Sequence, residues 1–141
     1  MIGQWISEAA GNAEQTVILL STQVVNALVL TIRSRFADDT RSKAFLWDSF
    51  RDEVAVQDPD GWLIAAGYPE PEPILLFLDG DSFVAYRFAS SSALQRVLSD
   101  SPGFEFYLTN PEASFVLCFN HHDVLIGVGD CLDWLRQRST P

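Results

Sequence analysis

The hydrophobic pattern of this chain changes period near residue 73. Before that point the apolar residues recur at helical spacing. From Gln15 to Ile32 the chain runs 18 residues without an ionisable side chain. Within that run Leu20, Val24 and Leu28 fall on one helical stripe, and Ile18, Val25, Val29 and Ile32 on the next. The spacing predicts a helical region that begins near residues 3–8, loosens at Gly11-Asn12 and continues to about Phe36. Ala37-Asp38-Asp39-Thr40 is a polar break, with Asp39 or Thr40 placed to cap a second helix over residues 41–53, where Ala44, Trp47 and Phe50 are spaced three apart. Asp58-Pro59-Asp60-Gly61 predicts a turn. The short apolar run Trp62 to Ala66 fits either a helical turn or a strand.

Pro69-Glu70-Pro71-Glu72-Pro73 is a stiff connector, since proline fixes φ and cannot donate to a sheet ladder. Beyond it the period is two. Residues 74–78 and 83–88 read as strands joined by a hairpin at Asp79-Gly80-Asp81-Ser82. Ser90-Ser91-Ser92 opens a helix over about 92–99. Residues 104–109, 114–120 and 124–128 read as three more strands, and 130–137 as a closing helix capped by Asp130. The expected fold is therefore α+β in one domain over residues 1–141. It has a mainly antiparallel sheet of about five strands, with the N-terminal helices and the C-terminal helix packed on one face.

Charge then sharpens the picture. Of a formal net charge of −10, a local −8 lies between Asp48 and Asp81: Asp48, Asp52, Glu53, Asp58, Asp60, Glu70, Glu72, Asp79 and Asp81 stand against Arg51 alone. Such a field repels nucleic acid and anionic membranes and attracts basic proteins. The charge-free run is diluted by Gln15, Gln23 and Asn26, which favours a core helix over a membrane span. The N-terminus also lacks the basic region of a secretory signal. The two cysteines, Cys118 and Cys131, have no CxxC spacing and read as reduced, buried thiols of a cytoplasmic protein.

Candidate chemistry is sparse. Asn120-His121-His122-Asp123 holds both histidines of the chain. Neighbouring residues on a strand point to opposite faces, so the simplest reading is a turn in which Asn and Asp bond local backbone. No G-x-S-x-G elbow surrounds the serines. Gly127-Val128-Gly129 precedes a helix whose acids would repel phosphate. No catalytic residue, metal site or cofactor is expected.

The segment FEFYLTNPEASFVLCFNHHDVLIGVG, residues 104–129, together with ILLFLDGDSFVAYRF, residues 74–88, resembles a family of small bacterial proteins of the toxin-immunity kind. The resemblance covers about the C-terminal half and implies a binding protein without turnover. The function expected is neutralisation of a contact-dependent or polymorphic toxin, a basic nuclease domain in particular. The residues expected at the interface are Asp58, Asp60, Glu70, Glu72, Asp79, Asp81, His122 and Asp123, with Trp62 and Tyr68 as aromatic anchors. Two alternatives stay open: a self-associating adaptor, with a homodimer formed through the charge-free helix, or a small metal-dependent enzyme using His121, His122 and Asp123.

Overall fold

Strands at the centre of the sheet are apolar on both sides, and this sets the architecture. The computed structural model describes residues 2–12, 17–38 and 45–139. Along the chain these form α1 (Ile2–Asn12), β1 (Val17–Leu19), α2 (Thr22–Phe36), a 3-10 turn (Leu46–Ser49), β2 (Val54–Gln57), α3 (Gly61–Ala66), β3 (Ile74–Asp79) and β4 (Ser82–Phe88). There follow α4 (Ser91–Ser99), β5 (Phe106–Thr109), β6 (Phe115–Phe119), β7 (Val124–Gly129) and α5 (Leu132–Ser139). Among the described residues the strands make one seven-stranded sheet, ordered β1-β4-β3-β5-β6-β7-β2, and every neighbouring pair is antiparallel.

Alternation divides each central strand between two cores. Leu75 and Phe77 of β3, Phe106 and Leu108 of β5, and Phe115, Leu117 and Phe119 of β6 face one side. There they meet Ile6 of α1, Ala65 of α3, Leu94 and Val97 of α4, and Leu135 of α5. Ile74, Leu76, Tyr107, Val116 and Cys118 face the other side, against Val25, Leu28, Val29 and Ile32 of α2 and against Leu46 and Phe50. The α+β class holds, with two corrections. The sheet has seven strands, not about five, and helices cover both faces, not one. Strands buried on both sides leave no face that can be left open to water.

The additional strands are the two edges. β1 lies inside the stretch expected as a helical region loosening only at Gly11-Asn12, which is instead divided into α1, β1 and α2. Its three residues, Val-Ile-Leu, suit a strand and a helix equally, and pairing with β4 decides between them. β2 follows the stretch expected as a second helix. Its described part is a 3-10 turn, while Ala44 and the proposed caps Asp39 and Thr40 lie outside the described residues. The run Trp62–Ala66 is helical as part of α3.

Local chemistry closes the helix ends. Ser21 Oγ accepts from Val24 N at 3.2 Å and starts α2; Ser90 Oγ accepts from Ala93 N at 3.1 Å and starts α4, as a serine cap should. The last turn of α2 is closed from outside. Arg51 donates to the carbonyls of Ala37 at 3.1 Å and Arg35 at 3.0 Å, placing a cation at the negative end of the helix. The single cation of the acidic segment is thereby used in structure. α5 begins at Leu132, so Cys131 and not Asp130 occupies the position before it.

Gly129 ends β7 with φ at +81°, and a Cβ there would sit 2.5 Å from the Ser114 carbonyl oxygen and 3.0 Å from Phe115 Cα. Both obstacles are backbone. Gly129→Ala is therefore expected to lower unfolding free energy by about 2–4 kcal/mol, combining left-handed strain with overpacking. Urea denaturation should show a lower midpoint at an unchanged slope.

Candidate functional site

Strand directions decide which loops meet. β3 ends, β4 and β7 begin, β5 begins, and β6 and β2 end at the same edge of the sheet. The connections there are residues 57–61, 79–82, 100–105 and 120–123. They carry Asp58, Asp60, Asp79, Asp81, Asp100, Glu105 and Asp123, with no Lys or Arg among them. Four strand spacings, roughly 19 Å at about 4.8 Å each, separate the β3–β4 hairpin from the end of β2.

The loop after β2 and the loop between β6 and β7 are tied together, since Asp58 N donates to Asp123 O at 2.9 Å. Asp58 Oδ1 accepts from Asp60 N at 2.9 Å, a local Asx turn. Asp60 stands before α3 without a side-chain cap, and its side chain is exposed. In the Asn-His-His-Asp segment, Asn120 is buried and its Oδ1 accepts from His122 N at 2.9 Å and Val124 N at 3.1 Å. Asp123 takes φ of 60°, which Asp tolerates. The segment is a turn held by the asparagine, and it leaves both histidine rings and Asp123 exposed.

An aromatic cluster lies against this turn. Phe45 stacks on Trp47 with centroids 5.4 Å apart and planes 8° apart. His121 lies 5.1 Å from Phe45 and 4.0 Å from His122, and Trp47 meets both imidazoles near 6 Å. Glu105 organises the group: its Oε1 accepts from Trp47 Nε1 at 3.2 Å and from His121 N at 3.0 Å, and lies 2.9 Å from His121 Nδ1. Tyr107 adds a further hold, its hydroxyl accepting from Trp47 N at 3.2 Å. Trp47 is half-buried, packed against the core on the α2 side of the sheet; Glu105 was not singled out. Both lie far in sequence from the histidines, and nothing in their local pattern marks the association.

The other expected interface residues divide between the two ends of the sheet. Trp62, at the start of α3, lines an apolar groove of about 250 Å³ with Leu98, Pro102, Phe104, Phe106 and Phe119, beside the acidic loops. Asp81 is exposed at the same end. Asp79 is also there, but its Oδ2 accepts from Gly3 N at 3.2 Å and so serves the first turn of α1.

Tyr68, Glu70 and Glu72 precede β3 and therefore sit at the opposite end. Tyr68 is packed between Phe115 at 4.5 Å and Trp134 at 5.0 Å, and burial raises its phenol pKa. Glu70 braces the connector: its Oε1 accepts from Asn110 Nδ2 at 2.9 Å and its Oε2 from Glu72 N at 2.8 Å. Ser91 fastens the same connector, donating to the carbonyls of Tyr68 and Glu70 at 3.0 Å. Glu72 is exposed.

Among the described residues no group of three or more His, Cys, Asp or Glu side chains is placed to hold a metal ion, and no helix is long and apolar enough to cross a membrane. The cysteines are free and buried on opposite faces of the sheet. Burial pushes the Cys131 thiol up to about 12 and the Cys118 thiol well above its ordinary value. No protein-family profile matches the chain, nor does any curated protein or solved structure.

Two outcomes follow from this geometry. Cys118, Cys131 and Tyr107 all have folded pKa values raised by burial, so the unfolded chain loses their protons first. The stability they contribute is full below about pH 8.5 and falls as pH rises through the unfolded thiol range toward 12. Thermal melts from neutral to alkaline pH should show that decline, and a flat profile would contradict the burial. Glu105→Ala should cost about 1.5–3 kcal/mol, the range for bonds to a charged acceptor, and should shift the fluorescence of Trp47; Glu105→Gln, which keeps an acceptor, should lose less.

Proposed function

We propose that this protein is a bacterial immunity protein that binds a basic toxin domain, a nuclease in particular, through the carboxylate-bearing end of its sheet. The observation that carries this reading is the set of four loops bearing seven carboxylates, Glu105 among them, and no Lys or Arg, at the end of the sheet where the Phe45–Trp47–His121–His122 cluster lies. The action is stoichiometric occlusion, without turnover.

In this reading the parts have different physical roles. Asp58, Asp60, Asp81 and Asp123 form a solvated rim that accelerates encounter with a cationic surface and orients it. Rim pairs add little affinity on their own. Affinity comes from the apolar surfaces that the rim surrounds: the Trp62 groove, and the stacked Phe45 and Trp47, whose faces suit an arginine side chain. Tyr68, Glu70 and Glu72 are left out of the interface because they lie at the opposite end of the sheet, where Glu70 braces the connector before β3.

The experiment is capture of partners from the native host with the tagged protein, washed in parallel at low and high salt. A basic toxin domain retained at low salt, and inhibited one-to-one, is the expected result. With that partner, Asp58→Asn, Asp60→Asn and Asp123→Asn together should slow association about tenfold or more and flatten its salt dependence. Glu72→Gln should change neither. An unaltered association rate in the triple variant would reject the acidic-end reading.

A further inference from the structure

The groove beside Trp62 joins an apolar wall to a rim of hydrogen-bond acceptors. Trp62, Leu98, Phe104, Phe106 and Phe119 make the wall around about 250 Å³, room for one long side chain. The rest of the lining belongs to the turn that ends α4, and its hydroxyls are those of Ser99 and Ser101. Both hydroxyls already donate, Ser99 Oγ to Gln95 O and Ser101 Oγ to Val97 O, each at 2.7 Å. Each therefore has only lone pairs to offer an occupant. The same turn lies at the negative end of α4, which favours a cation. Exposed carboxylates stand close by in the chain: Asp60, two residues before Trp62, and Asp100, between the two serines. Glu105 stands between two phenylalanines of the wall, but its carboxylate lies on the other face, where it holds Trp47. No Lys or Arg lines the groove; Arg96, one turn earlier on α4, is exposed.

Wall and rim select the occupant together. An apolar side chain would suit the wall, but it would displace water from the serine oxygens without replacing its hydrogen bonds. An anionic group would meet Asp60, Asp100 and the negative end of α4. A long cationic side chain satisfies both parts, its stem lying along the phenylalanines and its charged head facing the acceptors. Of the two such side chains, arginine fits better than lysine. A guanidinium is planar, stacks on aromatic faces and spreads five donors over several acceptors, where an ammonium is a compact, strongly hydrated point charge.

We infer that the Trp62 groove is an arginine pocket, which takes one arginine side chain of the basic partner. The inference rests on the acidic-end reading for what that partner is. The probe is Nα-acetyl-arginine methylamide, titrated into the isotope-labelled full chain with its lysine and norleucine analogues in parallel. The Trp62 indole N–H and the Gly103 backbone N–H report the groove by NMR. The expected result is a saturable shift of both signals in the millimolar range, with lysine weaker and norleucine weaker by about fivefold or more. Asp60→Asn/Asp100→Asn, made at exposed positions, should weaken the arginine probe about threefold and leave norleucine unchanged. Trp62→Leu, followed at Gly103, should weaken it about fivefold. No saturable shift, equal binding of lysine or norleucine, or arginine binding unaltered in the double Asn variant would overturn the inference. A groove that rejects arginine while the rim acids still govern the rate of association with a captured partner would overturn this inference alone. A groove that takes arginine in a protein that captures no basic partner would keep the pocket and reject the immunity reading.

Discussion

Everything in this molecule follows from three strands that cannot face water on either side. β3, β5 and β6 are buried almost throughout, with Leu75, Leu76, Phe77, Phe115, Val116 and Leu117 each fully inaccessible. An antiparallel sheet usually solvates one face; here both faces need cover, and helices from both halves of the chain supply it. The polar groups the strands do bury are bonded locally. Thr109 donates to the Phe115 carbonyl at 2.6 Å, and Asn110 and Asn120 hold the turns at opposite ends of β6. Among the described residues no buried side-chain polar atom lacks a partner.

The same constraint arranges the charge. Carboxylates cannot enter a sheet packed on both faces without a large desolvation cost, so they collect in the connections at its ends. Antiparallel strand order then brings together loops that are distant in sequence, and one end becomes strongly acidic. At the opposite end Glu70 is turned inward as an acceptor for Asn110, so its charge serves the fold. One composition thus yields a solvated rim at one end and a structural brace at the other.

Glu105 shows how narrow the margin between these roles is. It belongs to the acidic loops, yet a single oxygen receives Trp47 Nε1 and the His121 backbone and lies within bonding distance of the His121 ring. That arrangement keeps an aromatic surface ordered next to exposed carboxylates. The proposed binding role depends on the pairing, because diffuse charge accelerates encounter and only a fixed apolar surface provides affinity.

By itself the sequence determined the five strands after Pro73, the Gly80 hairpin, the serine cap of α4, the Asn120 turn and the burial of both thiols. Each rests on neighbours within a few residues, where backbone preference and alternation act directly. Tertiary structure alone decided that the Val17–Leu19 stretch is a strand, that β2 closes the other edge, and that α2 covers a face of its own. Short apolar segments are compatible with more than one conformation until a partner strand accepts their hydrogen bonds. It also decided which acids face solvent together. Asp58, Asp81 and Glu70 are equivalent in a charge count, but strand direction sends the first two to one end and the third to the other. The Glu105–Trp47–His121 association was invisible for the same reason: it joins residues 58 and 16 positions apart, and only the folded sheet makes them neighbours.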